Sequence, residues 1–213
     1  MHLPISAQAQ NVLDKLLREA SREMGKIALG LSKGLFRKLK PEDMADTYIA
    51  ISREAGEFIY ETLLRIQAQN IVEFGTSFGI STLYLGAAAQ QTGGTVITSE
   101  ILPSKCQIAQ QNFEDAGLDD IIDLREGDAL ETLRDVPAPI DFLLLDGWND
   151  LYLPLLKLLE PKFRTGTLVY IDNTSFRSTK PLFSYMYANA SRYKEQQRFG
   201  DAALIEFIGL SNV

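Results

Sequence analysis

The sequence predicts an α/β fold: a doubly wound, seven-stranded, mainly parallel sheet, closed by a C-terminal antiparallel hairpin and preceded by a helical cap. Three observations carry this expectation. From Asn70 onward strand-like and helix-like segments alternate, as they do where helical crossovers join parallel strands. The run Asn70-Ile71-Val72-Glu73-Phe74 leads into Gly75-Thr76-Ser77-Phe78-Gly79 and then a helix-like segment, Ser81 to Ala89, which reads as strand, tight turn, helix. Near the end, two strand-like segments are separated only by Gly200-Asp201, and two such residues suit a tight hairpin.

Taken in order, residues 1–66 form a helical extension that belongs to the same domain, punctuated at Gly30, Gly34 and Pro41. Val12, Leu13, Leu16 and Leu17 recur at helical spacing, and 46–67 reads as a longer helix. This part is expected over the sheet edge, as a cap or a dimer surface. Residues 67–213 form the ligand-binding part, with strands at 70–74, 95–100, 121–125, 140–146, 166–172, 193–199 and 202–208. Helices are expected at 80–90, 103–116, 150–160 and 178–190.

Composition narrows the class. With 213 residues and 46% hydrophobic content, the chain has ample material for one core. No apolar run reaches the roughly 18 residues of a membrane span, and Met1-His2-Leu3-Pro4 lacks a signal-peptide pattern. A single cysteine, Cys106, excludes an internal disulfide and a cysteine metal cluster, so a cytoplasmic protein is expected. The net charge of −7 argues against nucleic acid as a partner. Basic residues nonetheless gather at Lys33, Arg37, Lys38 and Lys40, either as a solvated helix face or as a lid over an anionic part of a substrate.

The turn at Gly75–Gly79 cradles a small polar ligand, because glycines let a ligand approach the backbone and the next helix aims free N–H groups at the same place. Its pattern is E-x-G-x-x-x-G rather than the dinucleotide G-x-G-x-x-G. Glu73 before the first glycine suits a cationic head and ribose hydroxyls. The same stretch spells G-x-S-x-G, the nucleophile elbow of hydrolases. That chemistry needs a histidine after the serine, and the only histidine is His2.

Ligands in open α/β sheets sit outside the carboxyl ends of the strands. The second strand ends in Glu100, placed to accept from ribose hydroxyls. After the third comes Gly127-Asp128-Ala129, where Asp128 either accepts from an adenine amino group or N-caps a helix. The nearly all-apolar fourth strand ends in Asp146-Gly147-Trp148, and the fifth in Asp172-Asn173. On neighbouring strands about 5 Å apart, Asp146, Asp172 and Asn173 would converge. Two carboxylates and an amide oxygen are hard ligands suited to Mg²⁺ or another divalent cation.

These residues, in this order and spacing, resemble the class I S-adenosylmethionine-dependent methyltransferases, specifically the cation-dependent catechol and caffeoyl-CoA O-methyltransferase group. The resemblance runs from about Glu54 to the C-terminus and is carried by Glu73 to Thr82, Glu100, Gly127-Asp128-Ala129, Asp146-Gly147-Trp148 with Tyr152, and Asp172-Asn173. It implies that Glu73, Gly75 and Ser81, with Thr76, Ser77 and Gly79 of the same turn, surround the methionine part of S-adenosylmethionine. Glu100 would hold the ribose, and Asp128, Ala129 and Trp148 the adenine. Asp146, Asp172 and Asn173 match the divalent-cation ligands. The implied activity is O-methylation of a small, catechol-like acceptor, with a homodimer as a further implication.

One position departs from the family. Three residues after the first metal aspartate the group carries a lysine that assists deprotonation, and here the residue is Asn149. An amide cannot take a proton. Either the metal-bound hydroxyl ionises without a side-chain base, or Lys33 substitutes from the cap, or the acceptor differs. A metal-independent methyltransferase and a non-catalytic cofactor-binding module are the alternatives.

Overall fold

Every residue of Ile140–Leu145 is buried, and a strand covered on both faces belongs in the middle of a sheet. The computed structural model, which describes residues 3–22, 43 and 51–209, places it there. In chain order the elements are α1 (Ala7–Arg22), α2 (Arg53–Ile66), β1 (Asn70–Phe74), α3 (Ile80–Thr92), β2 (Thr95–Glu100), α4 (Pro103–Ala116) and β3 (Ile122–Glu126). There follow α5 (Ala129–Thr132), β4 (Ile140–Leu145), α6 (Tyr152–Leu159), β5 (Phe163–Ile171), α7 (Lys180–Ala188), β6 (Tyr193–Phe199) and β7 (Ala202–Phe207). The seven strands lie in the order β3-β2-β1-β4-β5-β7-β6. The first five are parallel, and β7 runs antiparallel to both β5 and β6.

Alternation along the strands divides the core in two. Ile71, Val96, Phe142, Leu144 and Tyr170 pack with α1 to α4 on one face. Val72, Ile97, Leu143, Leu145 and Val169 pack with α5, α6 and α7 on the other. The described part of the N-terminal extension therefore completes one helical layer, where an edge cap was expected. Phe58 of α2 stacks on Phe199 with ring centroids 5.4 Å apart and meets Tyr170 at 6.5 Å. Ser52 caps α2 by accepting from the Ala55 N–H at 3.2 Å, and Arg53 reaches Asp14 of α1 at 2.6 Å. The basic cluster around Lys33, with the lid reading attached to it, lies outside the described residues.

Two boundaries differ from expectation for identifiable reasons. β5 starts at Phe163 rather than 166, across a register shift between Ile140 and Phe142 of β4 and through Gly166 at φ +93°. Its Arg-Thr-Gly stretch reads locally as a loop. The single helix expected at 150–160 is a 3₁₀ turn Asn149–Leu151, then α6, then a second 3₁₀ turn Glu160–Lys162, with Pro161 barring a continued helix.

At the amino ends of the strands a buried carboxylate ties three segments together. Asp141 accepts from the Gln69 and Asn70 N–H groups at 2.8 and 3.0 Å and takes a two-pronged contact from Arg164, Nε at 2.8 Å and Nη2 at 2.7 Å. Burial works to raise its pKa, but the two N–H groups and the guanidinium outweigh it and hold the carboxyl below its ordinary value. At the sheet's outer edge β6 presents Lys194, Glu195, Gln196, Gln197 and Arg198 to solvent and is interrupted by a bulge between Glu195 and Gln197.

A lowered native pKa stabilises the fold above the unfolded value, and that stabilisation is lost as pH falls through the native one. Asp141→Ala is therefore expected to cost about 1–2 kcal/mol at pH 7, since it leaves two partly buried N–H donors without their acceptor and removes the partner of a half-exposed guanidinium. Thermal melts from pH 7 down to pH 2 should show the difference from wild type shrinking at the acid end.

Candidate functional site at the carboxyl ends of the strands

Between β1 and β4 the connections diverge, β1 leading towards β2 and β4 towards β5, and such a switch point opens a crevice at the strand ends. Two loops meet there with no side chain between them. Gly75 has φ +104°, and a Cβ on it would lie 2.7 Å from the Asp146 carbonyl oxygen and from Gly147 N and Cα. A Cβ on Gly147 would in turn sit 2.6 Å from the Phe74 ring. The Asp146 N–H donates to the Phe74 carbonyl at 3.0 Å, and the Gly75 N–H to Ser99 at 3.1 Å.

The turn itself is held from β2. Ser77 adopts φ +50° and donates its N–H to Glu100 Oε2 at 2.9 Å. Glu100 Oε1 accepts from the Ile101 and Leu102 N–H groups, both at 3.0 Å. Gly79 closes the turn by donating to the Thr76 carbonyl at 2.9 Å and precedes α3 directly. The Thr76 side chain is buried and shares a 2.5 Å hydrogen bond with Thr98.

Glu73, fully buried, lies under that turn. Its Oε2 accepts from Thr82 Oγ1 at 2.5 Å and Thr98 Oγ1 at 2.6 Å, while Oε1 has no protein partner among the described residues. Burial pushes the carboxyl up; the hydroxyls of Ser81, Thr82 and Thr98 act against the rise and the charge of Glu100 adds to it. An unmatched buried carboxylate oxygen is costly and suits a donor or cation brought by a ligand.

On the other side of the crevice Asp146 and Asp172 follow the paired strand ends Leu145 and Ile171. The two carboxylates act on each other electrostatically. Burial and then the charge of Asp172 push Asp146 well up, and burial also raises Asp172. Asn173, at φ +58°, donates Nδ2 to Asp172 Oδ2 at 2.9 Å. Tyr152 is fully buried next to this pair, its phenol pushed up by burial and by both carboxylates. No group of three or more His, Cys, Asp or Glu that could hold a metal ion occurs among the described residues; the polar groups gathered here are two carboxylates and an amide.

The remaining expected residues distribute around these two centres. Ser81 is buried in the first turn of α3. Asp128 N-caps α5 by accepting from the Leu130 N–H at 2.9 Å, which realises the capping reading, and Ala129 is buried behind it. Trp148 is half-buried against the α6 side of the core. Asn149 opens the 3₁₀ turn before α6, its Nδ2 buried without a partner among the described residues. Lys33 lies outside the described residues. Cys106, raised to about 12 by burial and the nearby Glu100, holds its thiol protonated at neutral pH.

Thr98 and Thr82 were missed by reading the sequence. The signal for Thr98 was the parallel register, since Glu73 pairs with Thr98 and paired residues share a face. Thr82 sits in the first turn of α3, directly above the strand end.

Comparison with known proteins follows the same residues. Residues 72–174, from β1 past Asn173, match the methyltransferase-domain family. Catechol O-methyltransferase of Niastella koreensis is 32% identical over 129 residues, covering 59% of this chain and 58% of the relative. Caffeoyl-CoA O-methyltransferase 1 of Eucalyptus globulus is 31% identical over 128 residues, covering 58% and 52% respectively. The chain thus spans between half and three fifths of the length of these curated relatives. The O-methyltransferase of Bacillus cereus, solved in complex with S-adenosylhomocysteine, superposes with a TM-score of 0.72 at 22% identity over 96% of this chain and 98% of the other. The matched segment, which holds the glycine turn and both strand-end aspartates, is thus similar to the methyltransferase-domain family and to the catechol and caffeoyl-CoA O-methyltransferases, and the whole chain shares the fold of the Bacillus cereus enzyme.

Proposed function

We propose that the protein transfers the methyl group of S-adenosylmethionine to a hydroxyl of a small, catechol-like acceptor, with a divalent cation held by Asp146, Asp172 and Asn173. One observation carries the reading: the Gly75 turn lies in backbone contact with Asp146-Gly147, which sets a cofactor cradle directly beside the paired carboxylates. Glu73 offers an unmatched oxygen under the turn, and Glu100, already fixed by three N–H groups, has lone pairs left for ribose hydroxyls. Trp148, on the same loop as Asp146, would lie along the adenine.

The donor set fits a hard cation. Two carboxylates that repel each other, as the upward push of the Asp172 charge on Asp146 shows, lose that repulsion when a divalent ion binds between them. When bound, Mg²⁺ would orient two vicinal acceptor oxygens and lower the pKa of the attacking one. S-adenosylmethionine supplies a methyl on a sulfonium, so the chain's task is to align and to exclude water. Tyr152 walls the carboxylates from the α6 side, and Asn149 contributes N–H donors but no base.

Ligands that bind only the native state raise its melting temperature. S-adenosylhomocysteine should do so and NAD should not. Asp172→Ala should keep that shift while losing methyl transfer to a catechol panel by at least about 100-fold; chelation of wild type should have the same effect, and activity that survives it would remove the cation from the proposal.

The carboxylate pair also sets a pH dependence. A raised native pKa means that the folded state binds more protons, so cation-free protein loses stability as pH rises from about 4 through the raised value. Asp146→Asn removes that loss. At pH 8 without cation the variant should melt above wild type, by about 2–4 °C for each kcal/mol recovered, and the two should converge near pH 4.

A further inference from the structure

Lys105 occupies a place where a lysine is unfavourable on two counts. It lies in the first turn of α4, at the positive end of the helix dipole, and the residue is only 4% exposed. Its Nζ lies 5.1 Å from the centre of the Phe78 ring, which offsets part of the cost of burying the charge. Positions that break local rules in this way are expected where function demands it. One contact of the ammonium falls on the glycine turn: Nζ donates to Ser77 Oγ at 3.2 Å.

Ser77 is the strained residue of that turn. It is a non-glycine at φ +50°, a conformation that holds only where the surroundings enforce it. In that conformation its N–H points to Glu100 Oε2 at 2.9 Å. The same helix grips the next residue, Asn112 Nδ2 donating to the Phe78 carbonyl at 2.9 Å from a buried position. α4 therefore pins the turn at Ser77 and Phe78, and the pin at Ser77 connects through one residue to the acid at the end of β2.

We propose that Lys105 is a positioning residue for the methyl donor: its ammonium holds the Ser77 hydroxyl, which keeps the Ser77 N–H on Glu100 and so presents the Glu100 carboxylate to the ribose. The role rests on the cofactor reading above and acts through Ser77, without requiring the ammonium to touch the ligand. It falls on donor affinity and leaves the acceptor side alone.

The test is titration calorimetry with S-adenosylhomocysteine on the full chain, with steady-state kinetics alongside. Lys105→Met keeps the apolar stem and removes the charge; Ser77→Ala removes the hydroxyl. Each should weaken binding about fivefold to tenfold, the loss expected for one charge-assisted hydrogen bond. Together they should weaken it no further than either alone, because they break one link. KM for the donor should rise with kcat and acceptor KM unchanged, and Lys105→Arg should recover most of the affinity. Additive losses in the double variant, or a lowered melting temperature with unchanged affinity, would mean that Lys105 only packs against Phe78 and would overturn the inference. Wild type that binds no S-adenosylhomocysteine would sink the cofactor reading and this role together; wild-type binding matched by Lys105→Met would sink this role alone.

Discussion

The close approach of two backbones at the end of β1 and β4 governs everything built above the sheet. Gly75 has no room for a Cβ against Asp146 and Gly147, and Gly147 has none against Phe74. Neither loop can move away without losing hydrogen bonds to β2 and β1. The glycine turn and the loop that carries the first acid are thereby locked into one surface. Any chemistry performed there inherits its alignment from glycine positions that are themselves chemically inert.

The two ends of the sheet use charge in opposite ways. At the amino ends Asp141 is matched by two N–H groups and a guanidinium, and its charge stabilises the fold. At the carboxyl ends Glu73, Asp146 and Asp172 are all pushed towards the neutral form, with burial as the leading cause. Carboxylates are rarely buried so poorly matched for the sake of folding alone. The fold holds one end together with satisfied polar groups and keeps the other under electrostatic tension that a bound ligand or cation can relieve.

Much of this was legible in the sequence because it rests on local patterns. The apolar run 140–145, the glycine turn and the Gly200-Asp201 hairpin each announce their conformation within a few residues, and acids placed directly after buried strands fall at one end of the sheet by topology. What escaped depends on distance in sequence. Thr98 meets Glu73 only through strand register, Asp141 looks like an interruption of an apolar strand until Arg164 is brought against it, and Lys105 looks like an ordinary surface lysine of an amphipathic helix. β5 hid its first turn of strand behind Arg164-Thr165-Gly166, whose residues signal a loop when the register shift opposite them is not known.

The outer strand β6 has a further consequence for how this molecule can meet copies of itself. Its charged side chains and its bulge break the flat ladder of unpaired backbone groups that another sheet would need in order to add on. The far edge, β3, carries Asp123, Arg125 and Glu126. Among the described residues, growth of the sheet from chain to chain is thus discouraged at both borders, and association through faces other than the strand edges is favoured.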